Sequence, residues 1–294
     1  MTQFDANWAA AEEAKRKWMA ENGLYSEQEE HSSCGVGLVV SIDGKPSRKV
    51  VENGIAALKA IWHRGAVDAD GKTGRARDAQ GYGRFYGQGA MAMLSRFPIL
   101  TEDVQDFSTL LWRDLPGNLY PLMENGTPFA GPAVHAIQRL SSHGHWVVPI
   151  EHPTLGTMHI LTFHATPPVF DGPEDRNGRR NHDEVVFWTH YISGTLGPAP
   201  QNQFILMGDA NLDTDKGDGR SEAITTLLNT LTLQDPLPNL PTVEWQQTGP
   251  MRVDYILPSA DWQITDAEIL PNTASRHHLL WVDMTASNRI SPFR

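Results

Sequence analysis

The stretch Phe204-Ile205-Leu206-Met207-Gly208-Asp209-Ala210-Asn211-Leu212-Asp213 constrains the chain most: an apolar run stops at a glycine and gives way to alternating oxygen-bearing side chains. Consecutive apolar residues led by β-formers fit a strand covered on both faces. Gly208 is expected to supply a turn that brings the backbone close to a ligand. In an extended segment Asp209 and Asn211 project to the same side, where a carboxylate and an amide suit one hard cation or one phosphate. The same residues also fit an Asp/Asn turn that closes a strand through side-chain-to-backbone hydrogen bonds. On this stretch alone both readings stay open.

Three further segments carry chemistry in chain order. Leu161-Thr162-Phe163-His164 reads as a strand ending in His, and Arg252-Val253-Asp254-Tyr255-Ile256-Leu257 as a strand carrying an inward Asp. Ser275-Arg276-His277-His278 then precedes the apolar Leu279-Leu280-Trp281-Val282. Together with Gly208-Asp209-Ala210-Asn211, these segments resemble the endonuclease/exonuclease/phosphatase superfamily, the DNase I-like metal-dependent phosphoesterases. The resemblance runs from about Asp78 to Met284 and is closer to one bacterial branch. Its marks here are Gly87-Gln88-Gly89-Ala90-Met91-Ala92-Met93-Leu94-Ser95-Arg96-Phe97-Pro98-Ile99, Trp112-Arg113-Asp114-Leu115-Pro116, and the run from His164 through Arg180-Asn181-His182-Asp183-Glu184.

The resemblance implies an α/β (α+β) fold, a DNase I-like two-sheet sandwich with flanking helices and the active site at one end. It implies water attack on a phosphoester with Mg²⁺ or Mn²⁺ as cofactor, and a phosphate-ester substrate, small molecule or nucleic acid, as partner. Carried over residue by residue, Asp209 matches the water-orienting or metal-linked acid and Asn211 a phosphate or metal contact. His277 matches the terminal catalytic His, His164 the second His, and Asp254 the acid that orients a His. Arg276 stands where the family commonly has Asp, exchanging a possible metal ligand for a charge that attracts phosphate. Arg176, Arg179 and Arg180, in a Pro- and Gly-rich segment from Phe170 to Arg180, could receive phosphate oxygens or form a solvated salt-bridged loop. A helix is expected from Asn181 to Ile192 and another from Ser221 to Leu231.

The family's first strands, with an early Asn and a metal-binding Glu, precede the part represented here, so the sandwich is expected to be incomplete. Their place is taken by residues 1–74, read as an appended helix-strand-helix segment. An amphipathic helix is expected from Asp5 to Glu21, a strand from His31 to Ile42, and a helix from Val50 to Ile61. Glu30-His31-Ser32-Ser33-Cys34-Gly35-Val36-Gly37, followed by His63-Arg64-Gly65-Ala66, resembles the start of the large subunit of bacterial glutamate synthase. In that family a propeptide precedes the nucleophilic cysteine of a class II glutamine amidotransferase. By the match Cys34 would be that nucleophile, with its α-amine as base, and Arg64 would hold the glutamine carboxylate. The oxyanion-hole Asn-Gly and the Gly-Asp of that family have no counterpart downstream. Two alternatives therefore stand beside the phosphoesterase: an amidotransferase fragment and a catalytically silent fusion joined between Asp68 and Arg75. The domain reading is accordingly 1–74 and 75–294.

Composition narrows the partners. With 294 residues and a formal net charge of −11, the chain lacks the basic excess that carries nonspecific nucleic-acid binding. One cysteine excludes an internal disulfide. No apolar run approaches the roughly 20 residues that span a bilayer. Without a signal-peptide core a cytoplasmic location is expected. Tyr82, Phe85 and Tyr86 would stack on a substrate or anchor a loop.

Overall fold

The structure is a computed structural model that describes residues 37–39, 80, 89–246, 248–271 and 275–286. Cys34, Arg64, the expected helices at Asp5–Glu21 and Val50–Ile61, and Tyr82, Phe85 and Tyr86 lie outside the described residues. One compact unit spans Val36–Arg294.

Strand β1 (Gly37–Val39) lies in the glutamate-synthase-like segment and pairs in parallel with β2 (Ala92–Leu94) of the phosphoesterase-like part. A five-stranded sheet follows, built from β3 (Gln105–Asp106), β4 (Gly144–His152), β5 (Gly156–His164), β6 (Phe204–Asp209) and β9 (Asp254–Pro258) in the order β3-β4-β5-β6-β9. Only the β5–β6 step is parallel; the other pairs are antiparallel. The β4–β5 hairpin is closed by Pro153-Thr154-Leu155 and by Gly156 at φ +79. There His152 Nδ1 accepts from the backbone N–H of Leu155 at 3.1 Å.

Alternation along the central strands separates two cores. Phe204, Leu206, Leu161 and Phe163 face helix α2 (Arg176–Ile192), which contributes Val185, Phe187, Trp188 and Tyr191, and α3 (Glu222–Leu228), which contributes Ala223, Ile224 and Leu227. Ile160, Ile205, Met207 and Ile256 face the opposite way. That face packs against Leu280, Val282 and Met284 of β11 (Leu279–Ala286), which pairs antiparallel with β10 (Trp262–Leu270). The result is a two-sheet arrangement with helices on the outer face of the larger sheet, as the resemblance implies. Also among the described elements are a short hairpin, β7 (Val243–Trp245) and β8 (Gly249–Met251), and a short helix α1 (Pro132–Ile137).

Three expectations need correction. Helix α2 starts at Arg176, not Asn181, so the last part of the segment read as a basic loop, Arg176 to Arg180, is its first turn. Periodicity misses it because the buried face is polar: Arg180, Asn181, Asp183 and Glu184 are all at most 1% exposed. Helix α3 stops at Leu228, short of Leu231, whose side chain is 95% exposed. Gly208 makes no turn; it lies inside β6, paired with Phe163.

A Cβ on Gly208 would sit 2.1 Å from the backbone oxygen of Phe163. The glycine is therefore demanded by strand contact, because backbone cannot swing aside as a side-chain tip can. Gly208→Ala is expected to cost about 2–3 kcal/mol through overpacking, read as a lowered urea midpoint. An unchanged midpoint would show that β5 and β6 yield without loss.

Candidate active site

Sheet register builds the site before any side chain is considered. His164 on β5 pairs with Asp209 on β6, and Asp209 pairs with Asp254 on β9. Residues in register project to the same face, so three chemistry-bearing side chains form a row across three adjacent strands. They share the face of Ile160, Ile205, Met207 and Ile256, at the sheet end where the apolar residues stop. Just before β11, the chain that covers this face brings in His277.

His277 Nδ1 bonds the Asp254 carboxylate at 2.9 and 3.1 Å, and one atom each of Asp209, Asp254 and His277 lie within 4.8 Å of one another. Nδ1–H donates to Asp254, which sets the tautomer of the ring and leaves Nε2 unprotonated. Thr242 fixes this corner. Its hydroxyl oxygen accepts the backbone N–H groups of Val253 and Asp254, each at 3.0 Å, and its carbonyl accepts the N–H of His278 at 2.8 Å. Val243 forms a bridge to His277, and the Trp245 ring meets the His277 ring edge-on at 6.2 Å.

Asp209 is fully buried, and burial first, then the charge of Asp254, pushes its carboxyl up to about 8. Two carboxylates this close repel unless a proton or a cation lies between them. Its Oδ1 accepts the Asn211 backbone N–H at 2.8 Å, and its Oδ2 accepts from Asn211 Nδ2 at 3.2 Å. This is the Asx-turn reading, not the extended one: Asn211 adopts φ 48, a left-handed conformation that Asn tolerates. The turn still gathers Asp209 and Asn211 at one place, and Asn211 Nδ2 also donates to the Ala165 carbonyl at 2.9 Å.

His164 is 2% exposed. Its Nδ1 lies 3.1 Å from the Gly89 carbonyl oxygen, so it donates there, and Nε2 faces Asp209 Oδ2 at 3.5 Å. Burial foremost, then the neighbouring His143, keeps His164 neutral by pulling its pKa far down.

The polar face of α2 holds the loops that carry these residues. Asn181 Nδ2 donates to Thr166 O at 2.7 Å and Ala210 O at 2.8 Å, tying together the segments that follow β5 and β6. Glu184 accepts the backbone N–H of Ser142 at 2.6 Å and of Thr166 at 2.5 Å, and the Ser142 hydroxyl at 2.9 Å. Asp183 accepts the Trp112 indole N–H at 2.5 Å and the Leu119 N–H at 2.7 Å. Such orienting groups commonly matter about tenfold or more to a site they do not touch. The sequence marks the run Arg180-Asn181-His182-Asp183-Glu184 but assigns these roles to none of it. Their signal is the density of polar residues at helical spacing beside Val185, Phe187 and Trp188.

The substrate-binding expectations fare differently. Arg180 is 1% exposed and spends its guanidinium inside the protein, Nε on Leu140 O and Nη2 on Arg139 O, both at 2.8 Å. It is a structural residue and cannot reach a phosphate. Arg179 is half-buried, with Nε on Glu174 O at 3.2 Å. Arg176 stays half-buried in the first turn of α2, and Arg276 is exposed immediately before His277.

Comparison with known proteins gives two signals. The N-terminal segment is 55% identical over 74 residues to the glutamate synthase [NADPH] large chain of Azospirillum brasilense, a match covering 25% of this chain and 4% of that one. Among solved structures, an endonuclease/exonuclease/phosphatase from Beutenbergia cavernae is 13% identical with a TM-score of 0.46, covering 66% of this chain and 47% of that chain. The human nocturnin catalytic domain is 15% identical with a TM-score of 0.40, covering 65% and 61%. This chain thus spans less than two thirds of each of these relatives. The family model described as "Endonuclease/Exonuclease/phosphatase family" matches residues 12–277, so this chain belongs to the endonuclease/exonuclease/phosphatase family.

Proposed function

We propose that the chain hydrolyses phosphate esters by water attack, at a divalent-cation site formed by Asp209, Asp254 and His277 and assisted by Asn211 and His164. The observation that carries this reading is the convergence of those two carboxylates and the imidazole within 4.8 Å. The donor set fits such an ion: two hard carboxylate oxygens suit Mg²⁺ or Mn²⁺, and the Asp209 carboxyl, raised first by burial and then by the charge of Asp254, is one that a cation would bring down. Bound there, the ion supplies Lewis-acid polarisation of a phosphoryl oxygen.

The chain's own residues do the remainder. Asp254 holds the His277 ring by its Nδ1–H, which leaves Nε2 unprotonated as the nitrogen that would ligate the ion. Asp209 and Asn211 are fixed to each other and to Ala165, which orients the acid without side-chain freedom. His164 donates through Nδ1 to Gly89 and keeps Nε2 toward Asp209. Arg276, exposed beside His277, offers a positive charge to an incoming phosphate.

Hydrolysis of bis(p-nitrophenyl) phosphate by the whole chain tests the reading. Turnover with Mn²⁺ or Mg²⁺ is expected, with loss on EDTA and recovery on adding excess metal. Turnover indifferent to chelation, or none from folded protein, would overturn it.

A further inference from the structure

His143 appears in none of the roles above, yet it is built into the site. Its ring stacks on His164 with centroids 3.9 Å apart and planes within 8°. The same residue, Gly89, serves both rings. Its carbonyl holds His164 Nδ1 at 3.1 Å, and a Cβ on it would lie 2.4 Å from the His143 ring, so the bare glycine admits the imidazole. Gly89 also has φ +71, a conformation suited to glycine.

The other side of His143 is oriented by a chain of hydrogen bonds. The Ser142 hydroxyl lies 2.9 Å from Glu184 Oε1 and 2.8 Å from His143 Nδ1. It has one proton, and Glu184, which already accepts the backbone N–H groups of Ser142 and Thr166, accepts that hydrogen bond too. Ser142 Oγ is then an acceptor toward the ring, and His143 carries its proton on Nδ1. The second neighbour of that nitrogen agrees: the His164 carbonyl oxygen, also only an acceptor, lies 3.3 Å away. Tautomer and ring plane of His143 are thereby fixed from helix α2.

We propose that His143 is a positioning residue of the reaction site, a flat wall that holds the His164 ring in the plane where Nε2 faces Asp209. His164 sits at the end of β5, where one hydrogen bond to Gly89 leaves the ring free to tilt about that bond. The stacked imidazole removes the tilt, and Glu184, through Ser142, keeps the stack in register. The role rests on the phosphoesterase reading for its kinetic consequence but not for its structural one.

The test compares His143→Ala and His143→Phe in the whole chain by two readouts. In Mn²⁺-dependent hydrolysis of bis(p-nitrophenyl) phosphate, His143→Ala is expected to lower kcat roughly tenfold or more. KM should stay within about twofold, as for a group acting only on the reacting geometry. His143→Phe, which restores a flat ring, should recover most of that loss. Independently of turnover, long-range ¹H–¹⁵N imidazole spectra should show His164 protonated at Nδ1 in the wild type and in His143→Phe, and tautomer mixing in His143→Ala. An unmoved His164 signal in folded His143→Ala overturns the proposal, as does His143→Phe with spectra as disturbed as those of His143→Ala. Wild-type protein without metal-dependent turnover but with the expected spectra would sink the phosphoesterase reading and leave the positioning role standing.

Discussion

Arg180→Ala is expected to destabilise the protein by about 3–5 kcal/mol, among the largest losses available to one substitution, because it breaks a buried charge system. The guanidinium satisfies the carbonyls of Leu140 and Arg139, and its charge opposes the burial that raises the Glu184 carboxyl. Removing it takes the donor from one buried and one half-buried carbonyl and leaves Glu184, at 0% exposure, without that neighbouring positive charge. Glu184 in turn anchors Ser142 and Thr166, so the segments beside His143 and His164 should loosen first. Arg180→Lys should recover little, since a point charge cannot reproduce two donors in a rigid fork. Urea unfolding of the metal-free protein measures this. A loss below about 1 kcal/mol, the size of an ordinary surface substitution or less, would show that the network is dispensable.

The largest effect on activity is expected from Asp209→Ala. Asp209 is the one residue that touches every part of the site: register places it between His164 and Asp254, and its carboxylate binds Asn211. Its loss removes a charged cation ligand and the partner that orients Asn211. Lewis-acid stabilisation is worth several kcal/mol; a loss of about 4 kcal/mol corresponds to roughly 10³-fold in kcat/KM. A steady-state rate within tenfold of wild type would place the chemistry elsewhere. The substitution should leave the fold intact, because it also relieves the Asp209–Asp254 repulsion.

Strands with plain apolar patterns were legible in the sequence: β5, β6 and β9 lie at the segments read as strands, and Asp209, Asp254 and His277 were legible as candidates from the motifs at their ends. Their convergence was implied only through the family resemblance, because it depends on register between strands far apart in sequence, which no local pattern encodes. The first turn of α2 was misread for a physical reason. Helix periodicity is sought in apolar residues, and this helix buries Arg180, Asn181, Asp183 and Glu184, each paired by geometry that composition cannot show. Gly208 was misread for a similar reason: its glycine answers a neighbour on β5, not a turn in its own segment. His143 gave no signal at all, since a lone His after a Ser-Ser turn is ordinary until the stack on His164 is seen.

The central claim is that Asp209, Asp254 and His277 bind a divalent cation, and calorimetric titration of the whole chain with Mn²⁺ at pH 6, 7 and 8 tests it most directly. Asp209 must shed its proton before it can ligate. Because its carboxyl is raised from 3.8 to about 8, affinity should climb with pH and level off near that value. The climb should be about tenfold per unit where Asp209 alone limits binding, with a proton released on binding at the lower pH. The same shift fixes the sign for the metal-free fold. A folded pKa above the unfolded one favours folding in acid, and that contribution is lost as pH rises from about 4 to about 8, where added Mn²⁺ should stabilise most. One ion per chain, binding more tightly toward pH 8 and abolished in Asp209→Asn, is the predicted result. No binding at pH 8, or binding that Asp209→Asn leaves intact, would contradict the account.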